Sequence, residues 1–269
     1  MQPVVILGCG WLGTQLGLLL SAQGHPVWGS RRSHEALATL PGAIQPLLWD
    51  GHSALDPQIV QCLEGSWLIL AMPPAAAQDG GAAYLRSLQM ILAHADAVQA
   101  LVLCSSSSVY AGLTGDVCEA DAPGPDPRAQ LIWQAEQMVR QHPRCYVLRL
   151  AGLVGPGRHP AAFTRRGVMA GPAQPVNLVH SADICRWLAL LLNGSAVAPA
   201  PVINLCAPLL LNKAEFYTAA CLQQGVPVPQ FIAATEPARR VNADLSRQLT
   251  GFTYQYADLA SLCPTSVTR

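Results

Sequence analysis

The chain has 269 residues, 51% of them apolar and 12% charged, and its formal net charge is zero. This balance excludes a disordered chain, and the scattered basic residues make nucleic acid an unexpected partner. The nine cysteines do not have the spacing of a zinc site, so no metal site is predicted, and so many unpatterned thiols predict a reducing, cytoplasmic location. No apolar run reaches the length of about 20 residues that spans a bilayer, so no membrane partner is predicted.

The first elements are a strand, a glycine-rich turn and a helix. Pro3–Leu7 is a continuous apolar run, typical of a buried parallel strand, and Gly8–Gly13 follows with the pattern Gly-x-Gly-x-x-Gly. Between a strand and a helix this pattern predicts a dinucleotide site, because the glycines allow a tight turn and close approach of a pyrophosphate to the helix N-terminus. The motif residues expected to bind the cofactor are Gly8, Gly10, Trp11, Leu12 and Gly13.

The second predicted strand, His25–Trp28, leads to the position where dinucleotide folds hold the adenine ribose. An NAD site places Asp or Glu there, whereas this chain has Ser30, Arg31 and Arg32. A hydroxyl and guanidinium groups suit a 2′-phosphate, so the sequence favours NADP, with NAD as the alternative. The alternative is that the two arginines are solvated charges at the start of a helix over Ser33–Leu40.

Strands and helices continue to alternate up to about residue 150. The predicted elements are the strand Ala43–Trp49, the helix Leu55–Leu63, the strand Ser66–Ala71, the helix Ala82–Ala97, the strand Ala100–Cys104, the helix Arg128–Gln141 and the strand Cys145–Leu150. This alternation predicts an open α/β parallel sheet with helices on both faces. The connections include a small flexible loop, Ala75–Gly81, and a long one, Ala111–Pro127. Asp50, after the third strand, is expected to accept a hydrogen bond from the adenine amino group or to cap the next segment.

Four later segments carry recognisable patterns. They are Leu101–Tyr110 with Ser-Ser-x-x-Val-Tyr, Arg149–Arg158 with Arg-Leu and Gly-Pro-Gly, Val176–Asp183 with Val-His-x-x-Asp, and the strand Val202–Leu205 between the predicted helices Ser181–Leu192 and Ala214–Gln224. In this order, after the glycine motif, they resemble the extended short-chain dehydrogenase/reductases. The resemblance is closest to the NAD-dependent epimerase/dehydratase group and spans nearly the whole chain.

The resemblance implies a Rossmann doubly wound parallel sheet with a small C-terminal substrate domain. Residues 1–155 would form the NAD(P)-binding domain. Residues 156–269 would form mainly the substrate domain, with segments 176–192 and 202–206 returning to the Rossmann core. The family often forms dimers through the helices that correspond to Ala82–Ala97 and Arg128–Gln141, so a homodimer is expected.

The resemblance also implies roles for single residues. Ser106 stands where the family has the catalytic Ser or Thr that hydrogen-bonds the reacting oxygen. Residues expected along the nicotinamide half of the cofactor are Ala71, Met72, Pro73 and Ser105.

The chain departs from the family at its Tyr-x-x-x-Lys pair. Arg128 stands at the Tyr position and Ile132 at the Lys position, and Lys213 is the only lysine in the sequence. The resemblance is therefore to atypical members that lack this acid/base pair. Arg128 cannot accept a proton but can hold an anionic group.

Other residues could supply the missing chemistry. Tyr110 is a candidate proton donor, although the family residue here mostly packs near the cofactor. Arg158 and His159 are candidates for binding a carboxylate or phosphate of the substrate. His180, three residues before Asp183, is a further substrate-binding candidate, the alternative being a structural role at a helix N-terminus.

Two functions from different classes follow from these observations. The first is an NAD(P)-dependent oxidoreductase or epimerase-like enzyme that acts on a small polar substrate with non-standard acid/base residues. The second is a non-catalytic dinucleotide-binding sensor or scaffold, which the missing Tyr and Lys favour. The retained Ser106 and the polar Gly-Pro-Gly-Arg-His segment favour the enzyme.

Overall fold

A computed structural model describes residues 1–74, 79–194 and 202–263. Its strands are β1 (Val4–Leu7), β2 (Val27–Arg31), β3 (Gln45–Leu48), β4 (Trp67–Leu70), β5 (Ala100–Ser106), β6 (Gly115–Val117), β7 (Cys145–Leu150), β8 (Gly152–Val154), β9 (Val168–Ala170), β10 (Leu178–His180), β11 (Val202–Leu205), β12 (Gln230–Ile232) and β13 (Arg239–Val241). Its α-helices are α1 (Trp11–Ala22), α2 (His34–Ala38), α3 (Pro57–Leu63), α4 (Ala82–Leu92), α5 (Pro127–Val139), α6 (Ser181–Leu192), α7 (Lys213–Gln223), α8 (Asp244–Gln248) and α9 (Leu259–Leu262).

Seven parallel strands form the central sheet in the spatial order β11-β7-β5-β4-β1-β2-β3. The strand order reverses beside β1, which is the arrangement of a Rossmann fold, so the predicted fold class is confirmed. The strands β1 and β4 are buried along their whole length, as their continuous apolar sequences require. The carboxyl ends of all seven strands therefore meet at one edge of the sheet.

Helices cover both faces of this sheet. The helices α1 and α6 pack against each other and contribute to one apolar cluster, which also contains Val4, Ile6, Ile69 and Val102. The helices α3, α4 and α5 contribute to the cluster on the opposite face. Several helices start at a side-chain cap that the sequence supplies, such as Asp126 before α5.

The structure adds short strands that the sequence pattern does not predict. The strand β6 lies within the expected loop Ala111–Pro127 and pairs with β13. The strand β8 follows β7 along the chain and pairs with β10. The expected helix over 82–97 ends at Leu92 and is followed by a separate 3₁₀ turn, Ala95–Ala97. Residues 75–78 of the expected loop 75–81 lie outside the described residues.

The C-terminal third of the chain contributes to more than one part of the molecule. The strand β11 pairs with β7 at the edge of the central sheet, and α6 packs on α1. A third apolar cluster joins α7 with buried residues of the segments 154–178, 207–209 and 262–263. The division of the chain at residue 155 stays a prediction.

In the described part of the chain, no helix has the length and apolar character needed to cross a membrane. The nine cysteines, all within the described residues, are free thiols, and no group of three or more His, Cys, Asp or Glu side chains there has a metal-binding arrangement.

Candidate functional site

The glycine motif forms a tight turn at the carboxyl end of β1. Gly8 has a φ of +84°, and a Cβ atom there would lie 2.8 Å from the backbone nitrogen of Met72. A Cβ atom on Gly10, by contrast, would have its nearest neighbouring atom 3.8 Å away, which leaves room for a ligand. Among the described residues no side chain caps α1, so its first N–H groups are free to bind an anion.

Ser30 supports this turn from behind. Its buried hydroxyl accepts a hydrogen bond from the backbone N–H of Gly8 at 2.9 Å. This contact gives Ser30 a structural role in the glycine turn, while the bond does not use its hydroxyl proton, so the expected contact with a 2′-phosphate stays a prediction.

Arg31 is held beside the start of α1. Its Nη2 donates to the Thr14 hydroxyl at 3.0 Å, while its Nε is buried without a hydrogen-bond partner among the described residues. Arg32 is exposed. The unpaired Nε makes Arg31 the better of the two candidates for an anionic ligand.

Asp50 has the second of its two expected roles. Its Oδ1 accepts hydrogen bonds from the backbone N–H groups of His52 and Ser53 and from the Ser53 hydroxyl. These bonds hold the pKa of Asp50 below its usual value. The carboxylate caps its own turn through Oδ1, and Oδ2 accepts no hydrogen bond from a described residue, so the expected contact with adenine stays a prediction.

The carboxyl ends of β4 and β5 present different surroundings for the predicted residues. Ala71 and Met72 are half-buried and Pro73 is exposed. Ser105 is buried and donates to Glu136 Oε1, so its expected contact with the cofactor is corrected. Ser106 is half-buried and accepts a hydrogen bond from the backbone N–H of Ser108, which leaves its own hydroxyl proton free for donation.

A buried polar network fills the space beneath these strand ends. Arg149 and Glu136 form a fully buried ion pair with an Nη2–Oε2 distance of 2.8 Å. The Tyr110 hydroxyl accepts from Arg149 Nη1 at 2.8 Å and donates to Asn204 Oδ1 at 2.9 Å. Burial opposes the charge of Arg149, but hydrogen bonds and attraction to Glu136 more than offset this effect and raise its pKa.

This network corrects the candidate role of Tyr110 as a proton donor. The side chain is fully buried, and burial raises the pKa of its hydroxyl to about 12, although Arg149 acts in the opposite direction. Because both hydrogen-bonding partners lie inside the protein, Tyr110 packs below the site rather than facing a ligand.

The helix α5 carries the two positions where the family has its Tyr and Lys. Arg128 is exposed in the first turn of α5 and forms no ion pair with a described residue. Ile132 is buried, with 2% of its surface exposed. Neither side chain can act as a general base.

The turn Gly155–Arg158 lies directly against the glycine motif. Trp11 Nε1 donates to the carbonyl oxygen of Pro156 at 2.7 Å, and the Arg158 guanidinium lies 4.2 Å from the centre of the Trp11 ring. Nearby, the Ser181 hydroxyl donates to Gln15 Oε1 at 2.7 Å. These contacts bring a sequence-distant loop to the N-terminus of α1.

His159 and His180 each cap the segment that follows them. Their Nδ1 atoms accept the backbone N–H groups of Ala161 and Ala182, respectively. Burial lowers the pKa of both rings, so at neutral pH each is uncharged and carries its proton on Nε2. The His159 Nε2 is buried without a hydrogen-bond partner among the described residues, so it offers a donor to a ligand.

The contacts of His180 fit the structural role given above as the alternative, and its role in substrate binding stays a prediction. Its ring stacks on Tyr256 with 3.5 Å between ring centres, and the ring has little exposed surface. Asp183 does not pair with it but accepts the backbone N–H groups of Gln255 and Tyr256 at 3.0 Å each.

No family model matches the sequence. Protein YeeZ of Escherichia coli K12 is 31% identical over 274 residues, which cover 96% of this chain and 97% of YeeZ. The chain belongs to the YeeZ family. Its motifs and fold make it an atypical member of the extended short-chain dehydrogenase/reductases, similar to the NAD-dependent epimerases/dehydratases.

Solved structures share the YeeZ-family fold. A proposed NAD-dependent epimerase/dehydratase from Methylobacillus flagellatus is 25% identical with a TM-score of 0.75, and the match covers 97% of this chain and 95% of that one. MoeE5, in complex with UDP-glucuronic acid and NAD, is 21% identical with a TM-score of 0.77 and coverage of 96% and 97%. The likeness to MoeE5 shows the fold alone.

Glu136 and Asn204, which support the candidate site from below, are not among the residues that the sequence predicted. Glu136 is the one acidic residue on a helix whose other inward positions are apolar, and Asn204 is the polar residue in the strand Val202–Leu205. Both patterns were visible as polar residues at buried positions, which need a partner. Arg149 could be identified as their common neighbour only from the register of β7 beside β5 and β11.

Proposed function

We propose that the protein is an NAD(P)-dependent enzyme of the oxidoreductase or epimerase/dehydratase type that acts on a small polar substrate. The observation that carries this proposal is the open space above Gly10 at the uncapped start of α1, on the same sheet edge as Ser106. In open parallel sheets this edge, beside the reversal of strand order, is where ligands bind.

The proposed cofactor is NADP. Arg31 supports it, because Thr14 holds its guanidinium beside the start of α1 and its Nε has no hydrogen-bond partner in the part of the chain that the structure describes. β2 ends in Arg31 and is followed by Arg32, so no Asp or Glu stands there to receive the 2′-hydroxyl of NAD. NAD is the alternative, and it is the cofactor named for MoeE5.

The bound nicotinamide would supply the hydride chemistry. The chain's own contribution is that Ser106 donates its free hydroxyl proton in a hydrogen bond to the reacting oxygen of the substrate. Water at the open sheet edge exchanges the proton, since Tyr110 is enclosed and Ile132 is apolar. The His159 Nε2–H and the exposed Arg128 bind anionic or carbonyl oxygens of the substrate.

The cofactor proposal is tested by calorimetric titration of the full chain with NADP(H) and NAD(H). Arg31→Ala is expected to weaken NADP(H) binding about tenfold while leaving NAD(H) binding nearly unchanged, since a charge-assisted contact to the 2′-phosphate is lost. Arg144→Ala, which removes the same charge from an exposed position with no expected role in binding, is the charge-matched control. An equal effect of Arg31→Ala on both cofactors contradicts the NADP assignment.

A non-catalytic sensor is the second candidate, favoured by the enclosure of Tyr110 and the burial of Ile132. A substrate screen that follows nicotinamide absorbance distinguishes the two functions. For an enzyme, Ser106→Ala abolishes most turnover while cofactor affinity is kept. A sensor binds cofactor but turns over no substrate in the screen, with or without Ser106.

The proposed location is a reducing, cytoplasmic compartment, which the nine free thiols support.

The proposed assembly is a homodimer that forms through α4 and α5. The two helices pack side by side and retain half-buried apolar residues, such as Leu85 and Met138. Sedimentation velocity should give the mass of two chains. The substitution Leu85→Lys should shift it to one chain, and a single-chain mass for the unaltered protein contradicts this assembly.

A further inference from the structure

The guanidinium of Arg158 is positioned by an aromatic ring, although the residue lies in an exposed turn. Its guanidinium stacks at 4.2 Å over the ring of Trp11, which is the first residue of α1. The side chain is exposed, and no carboxylate of a described residue forms an ion pair with it. A cation without a counter-charge is therefore held beside a helix N-terminus that also attracts anions.

The backbone around Arg158 fixes this position. Gly155 and Arg158 exchange two backbone hydrogen bonds, of 3.2 and 2.8 Å, and the Trp11 indole N–H donates to Pro156 between them. A Cβ atom on Gly155 would lie 2.4 Å from the Ser181 hydroxyl and 3.3 Å from the Trp11 ring. Ser181 begins α6 and Trp11 begins α1, so only glycine allows the turn to approach both helices this closely.

The direction of approach distinguishes the two phosphates of a dinucleotide. The turn follows β8, which continues from β7, and β7 lies on the opposite side of β1 from β2 in the sheet. The adenine ribose belongs over the end of β2. Arg158 therefore reaches the site from the nicotinamide side.

We infer that Arg158 binds the nicotinamide-side phosphate of the cofactor and that Trp11 positions it there. This inference rests on the proposed dinucleotide site and changes the expected role of Arg158 from substrate to cofactor binding. The guanidinium and the free N–H groups of α1 bind the pyrophosphate from two directions, and the turn covers it.

The test uses calorimetric titration of the full chain with NADPH, ADP-ribose and AMP, which lacks the second phosphate. Arg158→Ala is expected to weaken NADPH and ADP-ribose binding about tenfold and to leave AMP binding unchanged. Arg158→Lys should recover part of the affinity. Arg166→Ala removes the same charge from an exposed position in the following segment and should change none of the three affinities.

The role of Trp11 is tested through salt dependence. Raising the sodium chloride concentration should weaken ADP-ribose binding more steeply in the unaltered protein than in Arg158→Ala. Trp11→Ala, which retains the arginine but not its platform, should show the shallow dependence of Arg158→Ala. A steep dependence in Trp11→Ala would show that the ring does not position the charge.

The outcomes separate this inference from the proposed function. If the unaltered protein binds NADPH and ADP-ribose but Arg158→Ala binds them equally well, or loses AMP to the same extent, the inference is wrong and the dinucleotide site stands. If the unaltered protein binds none of the three ligands, the proposed function itself fails.

Discussion

The Tyr110 hydroxyl lies between a cation and an amide, and all three groups are buried. Removing the Tyr110 hydroxyl leaves one buried donor of Arg149 and the buried Oδ1 of Asn204 unpaired, so the cost exceeds that of an ordinary hydrogen bond. The family uses a tyrosine, at the position of Arg128 in this chain, as its acid or base. Tyr110 is a tyrosine at another position, and its buried contacts stabilise the fold.

We expect Tyr110→Phe to lower the free energy of unfolding by about 1–3 kcal/mol, because Arg149 and Asn204 each lose a buried hydrogen-bond partner. Urea unfolding measures this change. Tyr146→Phe, on a half-buried ring that stacks on Trp67, is the control and should cost less. Dinucleotide affinity should be unchanged in Tyr110→Phe, and its loss at full stability would restore a functional role.

His180 makes stability depend on pH. Burial lowers its pKa from the ordinary value of 6.5, although the Asp183 carboxylate acts in the opposite direction. The unfolded chain therefore binds this proton at a higher pH than the folded one, so the free energy of unfolding falls as the pH drops below about 6.5.

We expect His180→Asn to reduce this loss of stability, since Asn still caps α6 but does not titrate. Thermal unfolding at pH 7.5 and 5.5 measures the difference between the two proteins. His34→Asn, at an exposed position, should follow the unaltered protein at both pH values. Equal acid sensitivity of His180→Asn would mean that other groups carry the effect.

At the scale of elements, the ion pair between Glu136 and Arg149 joins α5 to β7. Both side chains are fully buried, and the pair makes further hydrogen bonds to Ser105 and Tyr110. A buried pair contributes little net stability when both partners are present, but one charge left alone is very unfavourable.

We expect Glu136→Gln to destabilise the protein by about 3–5 kcal/mol, because the Arg149 charge stays buried without its carboxylate. The double substitution Glu136→Gln with Arg149→Met should recover part of this loss. Urea unfolding of both variants, with the exposed Glu64→Gln as control, measures it. A single variant as stable as the control would show that water reaches Arg149.

Sequence patterns predicted the elements that are defined by their own residues. Continuous apolar runs predicted β1, β4 and β7, and Gly8 and Gly10 indicated the tight turn with an opening above it. The short strands β6, β8 and β13 were missed, since three residues carry no periodicity and their partners lie far away in the chain. The enclosure of Tyr110 was equally unpredictable, because Arg149 and Asn204 reach it only through the register of the sheet.

At the scale of the whole molecule, Asp183 holds the C-terminal segment against α6. Its carboxylate accepts the backbone N–H groups of Gln255 and Tyr256 and pairs with Arg186 at 2.9 Å. The ring of Tyr256 then covers His180. One buried carboxylate thus fixes a segment that is about seventy residues away in the chain.

We expect Asp183→Asn to free one of these N–H groups and weaken the ion pair, at a cost of about 1–3 kcal/mol. Hydrogen exchange should become faster at Gln255 and Tyr256, while the amides of β1 and β4 keep their protection. Asp244→Asn, which breaks an exposed pair with Arg247, is the control and should leave exchange unchanged at both residues. Uniform acceleration across the chain would instead indicate global loss of stability.

The position of β11 has a consequence for how the chain acquires its structure. This edge strand arrives more than fifty residues after β7, its neighbour in the sheet, and it brings the Asn204 side chain that pairs with Tyr110. During synthesis, the backbone N–H and C=O groups on one side of β7 therefore have no partner strand until residue 205 has left the ribosome. Contacts between residues so far apart in the chain form slowly. We expect a fragment that ends at residue 155 to aggregate rather than to behave as an independent domain.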